Sequence, residues 1–264
     1  MEPEAIAQTA ENWMEYVSAW SHLISAVVAG SVGIMWILRI KLRKRVKTGL
    51  IVLVAGTVTM FSMSGFYHLM PLGGTPRLVL RYLDHSAIFL MIADTLTPIH
   101  LILFKGWYRW GPLTGVWLLA AAGILVKCLF FDGIPEWLSL SIYLAFGWLG
   151  AWSGYHVLKR HGAALASPLI LGGVAYSIGA ILEFYGTPIL IDRYVGPHEL
   201  FHVTVMIGVV FHWRFVALAI KKTAKAARKG KEGVRHQGRR LARMVDEQGR
   251  VVARHCQPQE RGTS

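Results

Sequence analysis

Apolar residues fall in seven long blocks along the chain, over 20–38, 48–70, 82–104, 111–130, 137–157, 166–185 and 199–220, and polar connections between them are short. Each block is close to the ~20 residues that a helix needs to cross ~30 Å of hydrocarbon. Lipid satisfies no backbone N–H or C=O group, so a block that crosses it is helical. The pattern predicts an all-α polytopic membrane protein with seven transmembrane helices. It divides the chain into an acidic N-terminal segment (1–19), a seven-helix transmembrane domain (20–220) and a basic, flexible tail (221–264).

Composition agrees with that reading. Of 264 residues 54% are hydrophobic and 16% charged, where soluble chains run nearer ~25% charged. The leader Met1-Glu2-Pro3-Glu4 is acidic, so the first block is not read as a cleaved signal peptide. Cys128, inside a span, and Cys256, in the tail, are poorly placed to pair and imply no disulfide framework.

Charge adds an orientation. The net charge is +13, and the tail holds 13 Lys and Arg against 4 Asp and Glu. Directly after a membrane span, such a tail reads as a cytoplasmic segment touching anionic lipid, not as a nucleic-acid binder. Arg39, Lys41, Arg43, Lys44, Arg45 and Lys47 make the first loop basic; Lys105, Arg109, Lys159 and Arg160 lie on the same side of a seven-span topology. The opposite side has only Arg77, Arg81 and Arg193. The positive-inside rule then sets the N-terminus outside and the tail in the cytoplasm.

Polar residues within the blocks carry the candidate chemistry. His198 and His202, four residues apart, project from one helix face, as do Ser64 and His68. In antiparallel spans the end of the second helix, the start of the third and the start of the seventh share one depth. His68, Asp84, His198 and His202 therefore form one layer. Three imidazoles and a carboxylate so placed can make a tetrahedral zinc site with one open position. Glu15, Ser18 and His22 share a face of the first helix, as a polar interfacial turn or as part of a site. Lys127, Glu183 and Asp94 read as buried ion pairs, Asp94 with a neighbour such as Lys127, or as snorkelling side chains. His100, His156, His212 and Arg214 read as interfacial residues, too distant from the layer. Pro98, after Thr97, predicts a kink in the third helix; Gly172, Gly173 and Gly179 suit close helix packing.

Several motifs then agree in order and spacing with a known family. Ser64-x3-His68, the run Leu83-Asp84-His85-Ser86-Ala87-Ile88-Phe89-Leu90-Met91-Ile92-Ala93 with Thr97-Pro98, Gly123 to Lys127, Tyr143 to Trp148, Gly172 to Gly179 and His198-x3-His202 resemble the hemolysin III family, over about Glu15 to Ile220. That family belongs with the progestin and adipoQ receptors and more distantly resembles alkaline ceramidases. The resemblance implies a zinc held by His68, His198 and His202, with Asp84 matching the carboxylate that holds the zinc-bound water and Ser64 matching the serine near it. The chain departs from the pattern at Ser18, usually asparagine, at Asp94, usually glycine, and in its basic tail. Receptor-branch members usually keep the N-terminus inside, against the charge bias here.

Residues and resemblance together predict a multi-pass protein of the plasma (inner) membrane that contacts membrane lipids. Its expected activity is zinc-dependent hydrolysis of a lipid amide or ester, with Asp84 as general base or water-orienting group and Ser64 facing the developing oxyanion. The alternatives are a receptor or membrane-homeostasis protein with structural zinc, and a pore-forming cytolysin. The last is disfavoured because no polar stripe runs the length of any span.

Overall fold

The structure, a computed structural model, describes residues 3–39 and 43–255, with side chains over 13–39, 43–240 and 243–247. Glu2, Lys41 and Cys256 lie outside the described residues, as do the side chains of Glu4 and Glu11. The helices run in the order α1 (Pro3–Arg39), α2 (Lys44–Leu69), α3 (Thr75–Leu103), α4 (Trp107–Leu129), α5 (Glu136–Trp148), α6 (Gly150–His161), α7 (Ala163–Tyr185) and α8 (Pro197–His255), with a short 3-10 turn at Phe131–Gly133 before α5. Among the described residues the only strand-like pairing is an isolated bridge between Ile191 and Val195. The chain divides into two compact units, Met1–Ile220 and Lys221–Ser264, and the second is helical as far as His255.

Among the described residues six helices are long and apolar enough to cross a bilayer: Trp13–Arg39, Lys44–Leu69, Thr75–Leu103, Trp107–Leu129, Ala163–Tyr185 and Pro197–Glu247. The all-helical membrane architecture is as expected, but the count of seven is not. The span expected over 137–157 is two helices, α5 of 13 and α6 of 12 residues, which meet at Leu149. There the Leu149 N–H bonds to Phe146 O at 3.2 Å, an i→i−3 contact that tightens the turn. Gly147 and Gly150 flank the break and weaken helix propensity on both sides.

Local chemistry sets the other boundaries. Gly73 and Gly74, at φ of 81° and 84°, turn the chain into α3, whose first turn contains Pro76. α7 ends on Gly186 in the left-handed conformation, with its N–H on Glu183 O at 3.2 Å. That cap fixes Glu183 on the last turn of α7.

α3 is the central helix, packed against α2 on one side and α4 on another, while α5 and α6 pack on α7. Leu50, Leu53, Ile99, Phe215 and Val216 form the main core; Ala26, Met60, Phe61, Met91, Val205 and Val209 form a second core. The outer faces are apolar instead of polar, with Trp20, Ile24, Val27 and Leu38 of α1 exposed, as a lipid-facing surface requires. Small residues let helices approach. A Cβ at Gly172 would run into the His212 ring and come within 3.1 Å of Gly208 O, so only glycine permits the α7–α8 contact there.

Candidate metal centre

The site begins at the start of α8. Gly196 precedes Pro197, which occupies the first helical position, where its missing N–H costs nothing. Glu199, two residues further on, reaches back so that its Oε2 accepts the Gly196 N–H at 2.9 Å, one half of a capping box. Its other oxygen, Oε1, accepts the Ser18 hydroxyl of α1 at 2.9 Å. One carboxylate thus fixes the first turn of α8, which carries His198, and ties it to α1; His202 follows one turn later.

His68 comes from the last turn of α2, and Arg77 of α3 organises its surroundings. The Arg77 guanidinium donates to Met70 O at 2.6 Å and to Tyr67 O at 3.4 Å, which also accepts the Met70 N–H at 3.2 Å, and so closes the end of α2. Its other nitrogen binds Glu15 Oε1 at 2.6 Å, and Glu15 Oε2 holds His68 Nδ1 at 2.9 Å. On the far side Glu183 Oε1 lies 3.0 Å from His198 Nδ1.

With both Nδ1 atoms occupied by carboxylates, each ring has its Nδ1 proton donated and its Nε2 lone pair free. Those two Nε2 atoms face one another at 3.2 Å. Two lone pairs held that close repel unless a cation or proton lies between them. On a tetrahedral ion with Zn–N bonds of ~2.0–2.1 Å, two ligand nitrogens stand roughly 3.3 Å apart. His202 completes the set: one nitrogen from each of His68, His198 and His202 lies within 4.8 Å of the others. His202 and His68 are buried, at 3% and 6% exposure, while the His198 side chain is 41% exposed and faces the adjoining cavity. The residues present therefore fit a metal ion held by three neutral imidazoles.

His22 stacks flat on His202, with ring centroids 3.8 Å apart and planes at 5°, and both of its nitrogens are buried without a hydrogen-bond partner. Asp84 and Ser64 do not join the three-histidine group; they line a cavity of about 430 Å³ that also takes in His22, His198 and His202. Asp84 Oδ2 stands 3.5 Å from His85 Nδ1. The cavity continues between α3, α5, α6 and α7 past Ile92, Leu144 and Val174, an apolar channel with a polar end.

Other expectations are corrected. Asp94 does not pair with Lys127. Its Oδ1 accepts from the Thr95 hydroxyl at 3.2 Å, its Oδ2 is buried without a partner, and Lys127 Nζ instead donates to Ser139 Oγ at 2.7 Å. The two side chains leave α3 and α4 towards different neighbours, Asp94 towards Gly56 of α2 and Lys127 towards α5. His100 and His212 are not interfacial but buried, His100 bonded to Ser153 Oγ at 2.9 Å and His212 to Leu169 O at 3.2 Å. Glu183 is neither a snorkelling side chain nor the partner of a lysine; it orients His198. In the sequence Arg77 stands out only as a loop charge; it lies eight residues beyond the end of α2 and its guanidinium caps the C-terminal end of that helix.

Fold and cluster together define a polytopic helical membrane protein with a buried three-histidine site able to hold a metal ion. The chain belongs to the haemolysin-III related family, whose model matches residues 11–213. It is 34% identical over 145 residues to Hemolysin-3 of Bacillus cereus, a match covering 54% of this chain and 62% of the relative. It is 40% identical over 107 residues to the Hemolysin-3 homolog of Bacillus subtilis (strain 168), covering 40% of this chain and 50% of the relative. The chain thus spans between half and two thirds of the length of these relatives.

Proposed function

We propose that this protein is a zinc-dependent hydrolase of the plasma membrane that cleaves an amide or ester bond in a lipid. The observation that carries the reading is the facing pair of Nε2 atoms at 3.2 Å, each backed by a carboxylate, opening with His202 on the cavity that Asp84 and Ser64 line. Zinc, when bound by His68, His198 and His202, supplies a Lewis acid that polarises a carbonyl and acidifies water.

The chain's own residues would do the rest. Asp84, at the cavity wall, is placed to accept the proton of an attacking water and return it to the leaving group. Ser64, 2% exposed and on the same wall, is placed to donate a hydrogen bond to the oxygen that gains charge. The apolar remainder of the cavity suits hydrocarbon and keeps bulk water from the reacting bond. Glu15 and Glu183 hold two imidazoles in one tautomer and orientation.

A second reading has its own support. The network from Glu15 through His68 and His198 to Glu183 joins α1, α2, α8 and α7, so a metal there would also clamp four helices in a receptor or membrane-homeostasis protein. Asp84→Asn separates the two. The hydrolase reading expects metal content and thermal stability to persist while turnover of lipid amides and esters falls by about 10²-fold or more. Unchanged lipid profiles and biological output in Asp84→Asn would favour the clamp.

A further inference from the structure

A second feature lies outside the histidine site, at the same end of α3 and α4. α4 packs on α3 and α5 on α7, and between α4 and α5 runs a groove of about 410 Å³. Phe89 floors it, Leu119 and Val126 form one wall, and Ile142 and Phe146 the other. Leu119 and Val126 are half-exposed on the outer surface, so the groove opens where lipid lies. Its lining is apolar except at one end, where Lys127 enters beside Ser139.

Lys127 is an unusual cation for that position. It is 6% exposed, its Nζ donates to Ser139 Oγ at 2.7 Å, and it lies 4.4 Å from the centroid of the Phe131 ring. The Arg81 guanidinium lies 4.8 Å from the centroid of that same ring. Among the described residues neither cation takes part in an ion pair. The carboxylates that face Lys127, Asp132 and Glu136, are both exposed and act from a distance, screened by solvent. A buried ammonium within a membrane segment is costly unless an anion compensates it, and none of the described residues supplies one in an ion pair with Lys127.

We propose that this groove is a binding site for an anionic phospholipid of the bilayer, its acyl chain lying between α4 and α5 and its phosphate meeting Lys127 and Arg81. The aromatic ring of Phe131 holds both cations at the headgroup end. Ser139 and Tyr143 of α5 line this groove and the histidine cavity alike, so one helix separates the bound lipid from the candidate metal centre.

The full-length protein in nanodiscs of mixed phosphatidylglycerol and phosphatidylcholine tests it, by measuring which lipid is retained after detergent extraction. The basic tail also attracts anionic lipid, but that attraction is solvent-exposed and collapses in about 1 M salt, where the Debye length is ~3 Å. Retention is therefore measured in high salt. The wild type is expected to enrich phosphatidylglycerol roughly fivefold. Lys127→Met should abolish the enrichment and Lys127→Arg keep it. Ala122→Trp, on the exposed groove wall, should abolish it with both cations intact. No enrichment in the wild type, equal retention of phosphatidylcholine or phosphatidylethanolamine, or enrichment that survives both Lys127→Met and Ala122→Trp would overturn the proposal. Displacement of the lipid by inorganic phosphate alone would do so too, as it would make the site one for a free anion.

Discussion

At the scale of single residues, the candidate centre is governed by which imidazole nitrogen is turned inward. Glu15 and Glu183 decide that for His68 and His198 by occupying their Nδ1 atoms. Partners of this kind typically account for a 10–100-fold change in metal affinity. Glu15→Gln and Glu183→Gln are therefore each expected to weaken zinc binding about 10–100-fold without abolishing it, as read by competition with a chromophoric chelator. Unaltered affinity in both would show that these contacts do not orient the ligands. That His68, His198 and His202 come together was legible: the four-residue spacing of His198 and His202 and the parity of the spans sufficed to bring His68 level with them. Their carboxylates were not. The His68–Glu15 contact links positions 53 apart and the Ser18–Glu199 contact positions 181 apart, and no local pattern records which helices touch.

Among the elements, α3 carries the strongest constraint, since neighbours cover it on several sides. Where α2 crosses it, a Cβ on Gly56 would collide with the Asp94 carboxylate, so glycine at 56 and the acid at 94 are fitted to each other. Gly56→Ala should lower thermal stability in detergent by about 1–3 kcal/mol, the usual range for overpacking a helix interface. Adding Asp94→Gly, which removes the carboxylate that the new methyl group would meet, should recover most of the loss. Additive losses in the double variant would show that the two sites do not meet. The break between α5 and α6 escapes a hydropathy window because no Asp, Glu, Lys or Arg interrupts 137–157, so α5, Leu149 and the first part of α6 run on as one block; the backbone bond from Leu149 N to Phe146 O marks it. The partner of Lys127 escaped for a related reason. A charged residue in an apolar run suggests an opposite charge, yet a serine hydroxyl and an aromatic face take that place.

For the molecule as a whole, the membrane architecture follows from hydropathy; His68, His198 and His202 meet at one end of a cavity, while Asp94, His100 and Lys127 are buried in other places in the bundle. The family match over residues 11–213 spans the helical segments that carry these three histidines. Whether the bundle is built around a metal is tested most directly by metal analysis of the purified 264-residue chain. Elemental analysis of the wild type, after dialysis against buffer without metal, is expected to give one zinc per chain. The double variant His68→Ala/His202→Ala should fold into the membrane fraction with essentially none. A wild type free of zinc after purification and unable to take it up, or a double variant that retains it in full, would contradict the metal centre.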